Sequence, residues 1–318
     1  MTERTRLIQT NAGTHRGAFS TADWGLLAIP GIIWGSSFFF IAEGLHAFPP
    51  AMITFLRIAL GFCALGVLPA ARRPVDKVDR PRIALLGLLW MAFPLSMFPI
   101  AEQHVSSSLT GMLNGATPLF VAAVATILLR RLPGPAQLAG LAVGFTGVVL
   151  IAVPSFGEGS SELIGVAMII AAVACYGVAI NLAVPLQQTY GSLPVIWRAQ
   201  AVAMVLTAPF AIPGIDDVHF DWKAWGSVFL LGVLGTGLAF GVASSLAGRV
   251  GATRASVTVY ITPIVAILLG VLVLGESWAA LSLVGSGVVL VGAWLSSRAD
   301  RGASASDAVP AVAISPDA

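Results

Sequence analysis

Ten apolar stretches divide the chain, near residues 25–45, 50–70, 83–102, 106–129, 135–153, 162–183, 193–213, 224–246, 253–274 and 279–297. Crossing a bilayer's hydrocarbon takes about 20 apolar residues, and each stretch is close to that length. The separators are short and rich in turn formers, as in Ser155–Phe156–Gly157–Glu158–Gly159–Ser160. The pattern predicts an all-α integral membrane protein with ten transmembrane helices. Residues 1–23 are polar and read as a cytoplasmic N-terminal tail. No apolar stretch closely follows their first basic residues, so a cleaved signal peptide is not expected. Residues 298–318, rich in Ala, Ser, Asp and Pro, read as a disordered cytoplasmic C-terminal tail.

Composition agrees with a lipid-facing surface. The chain is 57% hydrophobic and only 10% charged, against about 25% charged in soluble domains. A net charge of +2 gives no case for nucleic acid as a partner. The two cysteines, Cys63 and Cys175, fall inside apolar stretches and read as core thiols rather than disulfide or metal ligands. The basic residues set the orientation, because Lys and Arg accumulate in cytoplasmic loops. With the N-terminus inside, the inner segments hold Arg4, Arg6, Arg16, Arg72, Arg73, Lys77, Arg80, Arg82, Arg130, Arg131, Arg249, Arg254, Arg298 and Arg301. The outer segments hold only Lys223, and Arg57 and Arg198 fall within helices. An odd number of spans would destroy this alternation. The reading is a multi-pass protein of the cytoplasmic (inner) membrane with both termini inside.

The ten stretches divide into two sets of five, residues 24–153 and 162–297. Thr117–Pro118 recurs as Thr262–Pro263, 145 residues later, and Gly140 and Gly147 recur as Gly285 and Gly292 at the same offset. Trp34–Gly35 is echoed by Tyr176–Gly177 at an offset of 142. A Gly-Val-Val-Leu string at 147 and 287 offers a second register. Because each unit holds an odd number of spans, the second must lie inverted relative to the first, the arrangement found in many secondary transporters.

Several of these residues together resemble the EamA-type branch of the drug/metabolite transporter superfamily. They are Trp34-Gly35-Ser36-Ser37, Arg57, Pro118, Pro263, and Gly275-Glu276 followed by Gly285 and Gly292. The resemblance covers about residues 25–297. It implies two inverted five-helix units around a central substrate cavity, and export of small metabolites, amino acids or drugs. The chain departs from the family pattern at Arg131, where the family usually has Glu.

The residues nominate a site in the same place. A proline inside a helix frees the carbonyl four residues earlier, here those of Asn114 and Val259. Near the midplane such groups must face protein or a water-filled cavity, and interrupted helices at matched positions mark transport sites. A packing kink is the plainer explanation of either proline. Asn114, Thr117, Tyr260 and Thr262 cluster about Pro118 and Pro263 and offer donors and acceptors to a small polar solute. Trp34, Trp90 and Phe240 are candidate stacking walls. Arg57 lies about 10 Å inside its helix and is expected to pair with Glu43 or Glu102, as a clamp or a gate. Arg198 sits near the inner end, where it can snorkel. Asp216, Asp217, His219 and Asp221 share an outer loop and read as a solvated acidic loop rather than a metal site.

No phosphate-binding loop, metalloprotease motif or nucleophile elbow is present, and no cofactor is called for. The first reading is a secondary transporter working by alternating access in the lipid bilayer, exporting a small-molecule substrate. A coupling proton or ion and the oligomeric state stay open. The alternative is a membrane-embedded enzyme acting on a lipid-like substrate at the outer face, with Glu43, Glu102 and His104 as acid or base groups. A third is a helical scaffold or receptor. The topology has a direct check. In a background lacking Cys63 and Cys175, a single cysteine at position 77 should resist impermeant thiol reagents in intact cells and react in inverted vesicles. Labelling from outside contradicts the orientation.

Overall fold

The computed structural model of the protein describes residues 10–11, 20–128, 134–156 and 160–306. Among them every regular element is helical and no strand occurs. Hydrocarbon offers no partners to peptide groups, and a helix satisfies them within one segment. The helical runs are α1 (Thr21–Gly44), α2 (Pro50–Gly66), α3 (Lys77–Ala101), α4 (Ser107–Leu128), α5 (Pro135–Ala152), α6 (Ser160–Tyr190), α7 (Ser192–Gly214), α8 (Trp222–Val250), α9 (Ala252–Leu272) and α10 (Ala280–Ser306). Eight of these are long and apolar enough to cross a membrane. The other two, α2 and the apolar part of α10 (Ala280–Leu295), are shorter.

The ends differ from the predicted stretches where helix outlasts apolarity. α6 runs on to Tyr190, past the expected end at 183, because its last turns pack against protein rather than lipid. There Gln188 Nε2 donates to the Gly248 carbonyl at 3.3 Å, and the Tyr190 hydroxyl donates to Asp79 Oδ2 at 2.7 Å. α10 continues to Ser306, past the expected end at 297. α1 begins at Thr21 under a capping box, with Ser20 Oγ accepting from Asp23 N and the Asp23 carboxylate from Ser20 N. Arg4, Arg6, Arg16, Arg130 and Arg131, the loop residues 157–159 and the tail from 307 lie outside the described residues. The core-thiol reading fails for Cys63, which is exposed on α2, while Cys175 is half-buried. A small thiol costs little on a lipid-facing surface.

Four helices are interrupted. α4 breaks at Gly115–Ala116 and restarts at Thr117, with Pro118 in its first turn. α9 passes through a 3₁₀ segment, Ser256–Ile261, and restarts at Thr262 with Pro263. The other two interruptions are π-helical, one of them just ahead of Pro94. α3 winds as π-helix over Gly87–Ala92, and α8 does so over Leu231–Leu238.

Contacts between the two halves come in reciprocal pairs. Glycines let α5 and α10 touch backbone to backbone: a Cβ on Gly147 would strike the Gly285 carbonyl, and one on Gly292 would strike Gly144 and the Gly140 carbonyl. The residue numbers rise on one helix as they fall on the other, so the pair is antiparallel. Shifted by 145, the contact of 147 with 285 becomes that of 292 with 140. Likewise Gly35 of α1 closes on Val265 of α9, while Gly177 of α6 closes on Phe120 of α4. α2 packs on the π segment of α8, and α7 on that of α3.

One further tie joins the halves. Gly275, at φ +69°, turns the chain after α9. Glu276 then accepts hydrogen bonds from Ser107 N (2.8 Å), Ser108 N (2.9 Å) and Ser108 Oγ (2.5 Å) at the start of α4. These bonds satisfy amides that a helix start leaves without partners. The glycine seam of α5 and α10 yields a controlled test. Gly292→Leu should lower stability by about 1–3 kcal/mol or more through overpacking. Gly287→Leu on the same helix, where a Cβ meets nothing within 4 Å, should leave it unchanged. Thermal unfolding in detergent reads both.

Candidate functional site

The interruptions converge. A narrow cavity of ≈ 40 Å³ lies between α1, α2, α3, α4, α6, α8 and α9. Trp34, Trp90 and Phe240 form an aromatic wall, with Trp34–Phe240 and Trp90–Phe240 centroids 5.1 and 5.6 Å apart in edge-to-face contact. Asn114 and Thr117 line it from the break in α4, and Val259 from the 3₁₀ segment of α9. Arg57, Ser37 and Tyr176 complete the polar lining.

Local backbone geometry presents each group. At the break in α4 the Thr117 hydroxyl donates to the Asn114 carbonyl at 2.7 Å, so the carbonyl is satisfied and the Asn114 amide side chain is left beside the cavity. The Val259 carbonyl is taken by the Thr262 N–H. A π turn shifts backbone pairing by one residue and leaves carbonyls for side chains. In α8 the Gly235 carbonyl accepts Trp34 Nε1 at 3.1 Å, which fixes the indole, and the Thr236 carbonyl accepts Gln200 Nε2 at 2.6 Å. The Thr236 hydroxyl donates to the Leu231 carbonyl at 3.2 Å and accepts Arg57 Nε at 3.1 Å. Trp90 itself lies in the π segment of α3.

The structure thus brings together six of the nominated residues: Trp34, Arg57, Trp90, Asn114, Thr117 and Phe240. Tyr260 and Thr262 are not on the wall. Tyr260 packs half-buried against the larger apolar cluster, and Thr262 is fully buried with its carbonyl facing Gly35. Both stand just before Pro263, on the side of α9 turned away from the cavity. No carboxylate among the described residues lies within 4.0 Å of the Arg57 guanidinium, so its one hydrogen-bonding partner is Thr236. Glu43 is half-buried at the end of α1 and lines neither cavity. Glu102 lies within electrostatic reach of Arg57, with both carboxylate oxygens buried and without a hydrogen-bond donor.

Glu102 instead borders a wider cavity of ≈ 680 Å³ at one end of the bundle, between the 42–50 segment and Asp217, His219 and Glu276. Of the acidic loop, Asp221 caps α8. It accepts from Ala224 N and Lys223 N at 2.9 and 2.8 Å, and these bonds hold its carboxyl below the usual range. No group of three metal-ligating side chains occurs among the described residues. His104, an acid-base candidate of the enzyme reading, is exposed with Nδ1 2.7 Å from Ser161 Oγ. Arg198, near the start of α7, is half-buried and donates to the Ala71 and Pro194 carbonyls at 3.3 and 3.1 Å.

Sequence reasoning missed Tyr176 and Leu95 as lining residues, although the offsets of 142 and 145 in the sequence could have found them. The wall pairs Trp34 with Tyr176 and Phe38 with Ile180 at an offset of 142, and Leu95 with Phe240 and Asn114 with Val259 at 145.

Apolar helices long enough to cross a bilayer, arranged around a small cavity at paired helix breaks, define a multi-pass membrane transporter. The comparisons name the family. The model of the EamA-like transporter family matches residues 24–153 and 163–298, and the chain belongs to that family. It is 30% identical over 271 residues to "Uncharacterized transporter YdfC" of Bacillus subtilis, covering 82% of this chain and 85% of that protein. It is 28% identical over 290 residues to "Probable terminal-alkyne amino-acid exporter" of Streptantibioticus cattleyicolor, covering 89% of this chain and 95% of that one. A solved structure entitled "Crystal structure of protein" shares the fold at a TM-score of 0.65 and 19% identity, over 88% of this chain and 98% of its own. The names describe transport, not catalysis.

The Thr236 hydroxyl, which joins Arg57 to the Leu231 carbonyl, can be tested. Thr236→Val keeps shape but strands Arg57 Nε, and should cost about 1–3 kcal/mol of stability. Thr236→Ser should recover most of it. Equal melting of all three proteins would show that the hydroxyl's two bonds contribute nothing.

Proposed function

We propose that the protein is a secondary exporter of small metabolites, amino acids or drug-like solutes, working by alternating access about the central cavity. The observation that carries this reading is the cavity wall, which draws matched residues from both halves at the repeat offsets. Such pairing is what a pseudo-two-fold axis through the site produces. The reciprocal contacts of α5 with α10, of α1–α9 with α6–α4, and of the two π segments support ten spans in two inverted five-helix units, 24–153 and 162–297. Rocking one unit against the other would expose the same site to each side in turn. The loop charges favour both termini on the cytoplasmic side of a bacterial inner membrane, and the wide cavity bordered by Glu102 and Asp217 then faces outward. Export as the direction draws on the relative named an amino-acid exporter.

Asn114, Thr117, Trp34, Trp90 and Phe240 are the proposed substrate contacts, with Pro118 and Pro263 setting the breaks. Tyr260 and Thr262 act behind the wall. A clamp between Arg57 and Glu43 or Glu102 would require another conformation, since no such pair exists in this one.

The test is solute flux in proteoliposomes loaded with amino acids and related metabolites. Wild-type vesicles should move a solute that empty liposomes retain. Asn114→Ala should weaken its apparent affinity roughly two- to twelve-fold, the worth of one hydrogen bond, and Trp90→Ala should weaken it as well. Ile127→Ala, on the outer surface of α4, should change nothing. Flux that is insensitive to both cavity variants places the site elsewhere.

A further inference from the structure

We propose that Arg57 is the binding group for a carboxylate on the transported solute, so the central cavity selects organic acids with an apolar body, amino acids included. This rests on the cavity being the transport site. Arg57 is 2% exposed, yet it lines that cavity. Of its five N–H donors only Nε has a partner, the Thr236 hydroxyl. The two terminal nitrogens, with four N–H groups, meet no acceptor among the described residues, and no carboxylate occurs among the cavity's lining residues.

An arginine held inside a membrane protein without a carboxylate in contact is costly, by at least about 2.5 kcal/mol. A buried charge is normally paired. Glu102 is within electrostatic reach of Arg57 but no carboxylate among the described residues comes within 4.0 Å of it, and the terminal face of a guanidinium matches a carboxylate through two parallel hydrogen bonds. Thr236 holds Nε, so the remaining fork is oriented before any solute arrives. That leaves less entropy to lose on binding.

The rest of the cavity describes the rest of the ligand. Trp34, Trp90 and Phe240 present ring faces and edges to an apolar or aromatic body, and Asn114 offers one amide for a second polar group. An α-ammonium would find no carboxylate here; the indole faces could take it by cation–π contact. The cavity's ≈ 40 Å³ is near the room one water needs. The solute therefore enters only as the halves move apart, and closure brings its carboxylate onto Arg57.

The probe is a panel of matched pairs, L-phenylalanine, L-leucine and L-norvaline against their primary amides. Binding is read by quenching of tryptophan fluorescence in purified protein, and flux in proteoliposomes. Each acid should bind roughly ten- to a hundredfold more tightly than its amide, the worth of a charge-assisted bond pair. Arg57→Gln should erase the preference while leaving the amides' weak affinity in place. Arg57→Lys keeps a point charge without the fork and should retain part of it. If Arg57→Gln does not fold, the acid-over-amide ratio of the wild-type protein and of Arg57→Lys decides. Acids and amides binding alike, or an acid preference untouched in Arg57→Gln, overturns the role of Arg57 while flux through the cavity stands. If amides move and depend on Asn114 and Trp90, only this inference fails. If no member of the panel binds or moves, the inference fails, and flux of the broader solute set judges the transport reading separately.

Discussion

Hydrocarbon offers no hydrogen bond to a peptide group, and that constraint explains where this chain is irregular. A break in a membrane helix leaves carbonyls and amides that only protein or a water-filled cavity can satisfy. The break in α4, the 3₁₀ segment of α9 and the two π segments of α3 and α8 all point inward. Their spare groups are used. Thr117 takes the Asn114 carbonyl, Trp34 takes that of Gly235, and Gln200 takes that of Thr236. The Trp34 bond fixes an indole, and the Thr236 hydroxyl holds the Arg57 guanidinium, about one small space. The irregularity and the site are consequences of one requirement.

The second requirement is close approach. A transporter whose halves move must still be held together where they do not, and α5 and α10 meet through Gly140, Gly144, Gly147, Gly285 and Gly292, where no side chain fits between the backbones. Without a hydrophobic drive between helices, such packing is a main source of association in lipid. At one end, Glu276 fastens the start of α4 with three hydrogen bonds. One repeat earlier the sequence carries Arg131 instead, and the start of α9 at Gly251 has no side-chain cap.

Much of this was legible in the residues. Apolar length marked the helices, because lipid constrains composition directly. The prolines at 118 and 263 marked real interruptions because they recur with Thr at one offset. Pro30, Pro99, Pro185 and Pro209 lie within helices and end none of them. Apolarity could not find the end of α6, since its last turns leave lipid for protein. The π segments were invisible for another reason. Gly87–Ala92 and Leu231–Leu238 are apolar runs, Pro94 just past the first has no counterpart past the second, where Ala239 stands, and only the geometry shows the extra residue in the turn. Thr236, the partner of Arg57, was lost with them. The expectation of a Glu partner for Arg57 came from charge matching, which takes no account of a counter-ion brought by the solute.

The proposed transport site places a solute at the paired breaks with its charge on Arg57. The most direct measurement is an experimental structure of the protein with a transported acid bound. The account predicts density between Trp34 and Trp90, beside Asn114, with the carboxylate on the terminal nitrogens of Arg57. Density confined to the wide cavity beside Glu102 and Asp217, with the space before Arg57 empty, would contradict it.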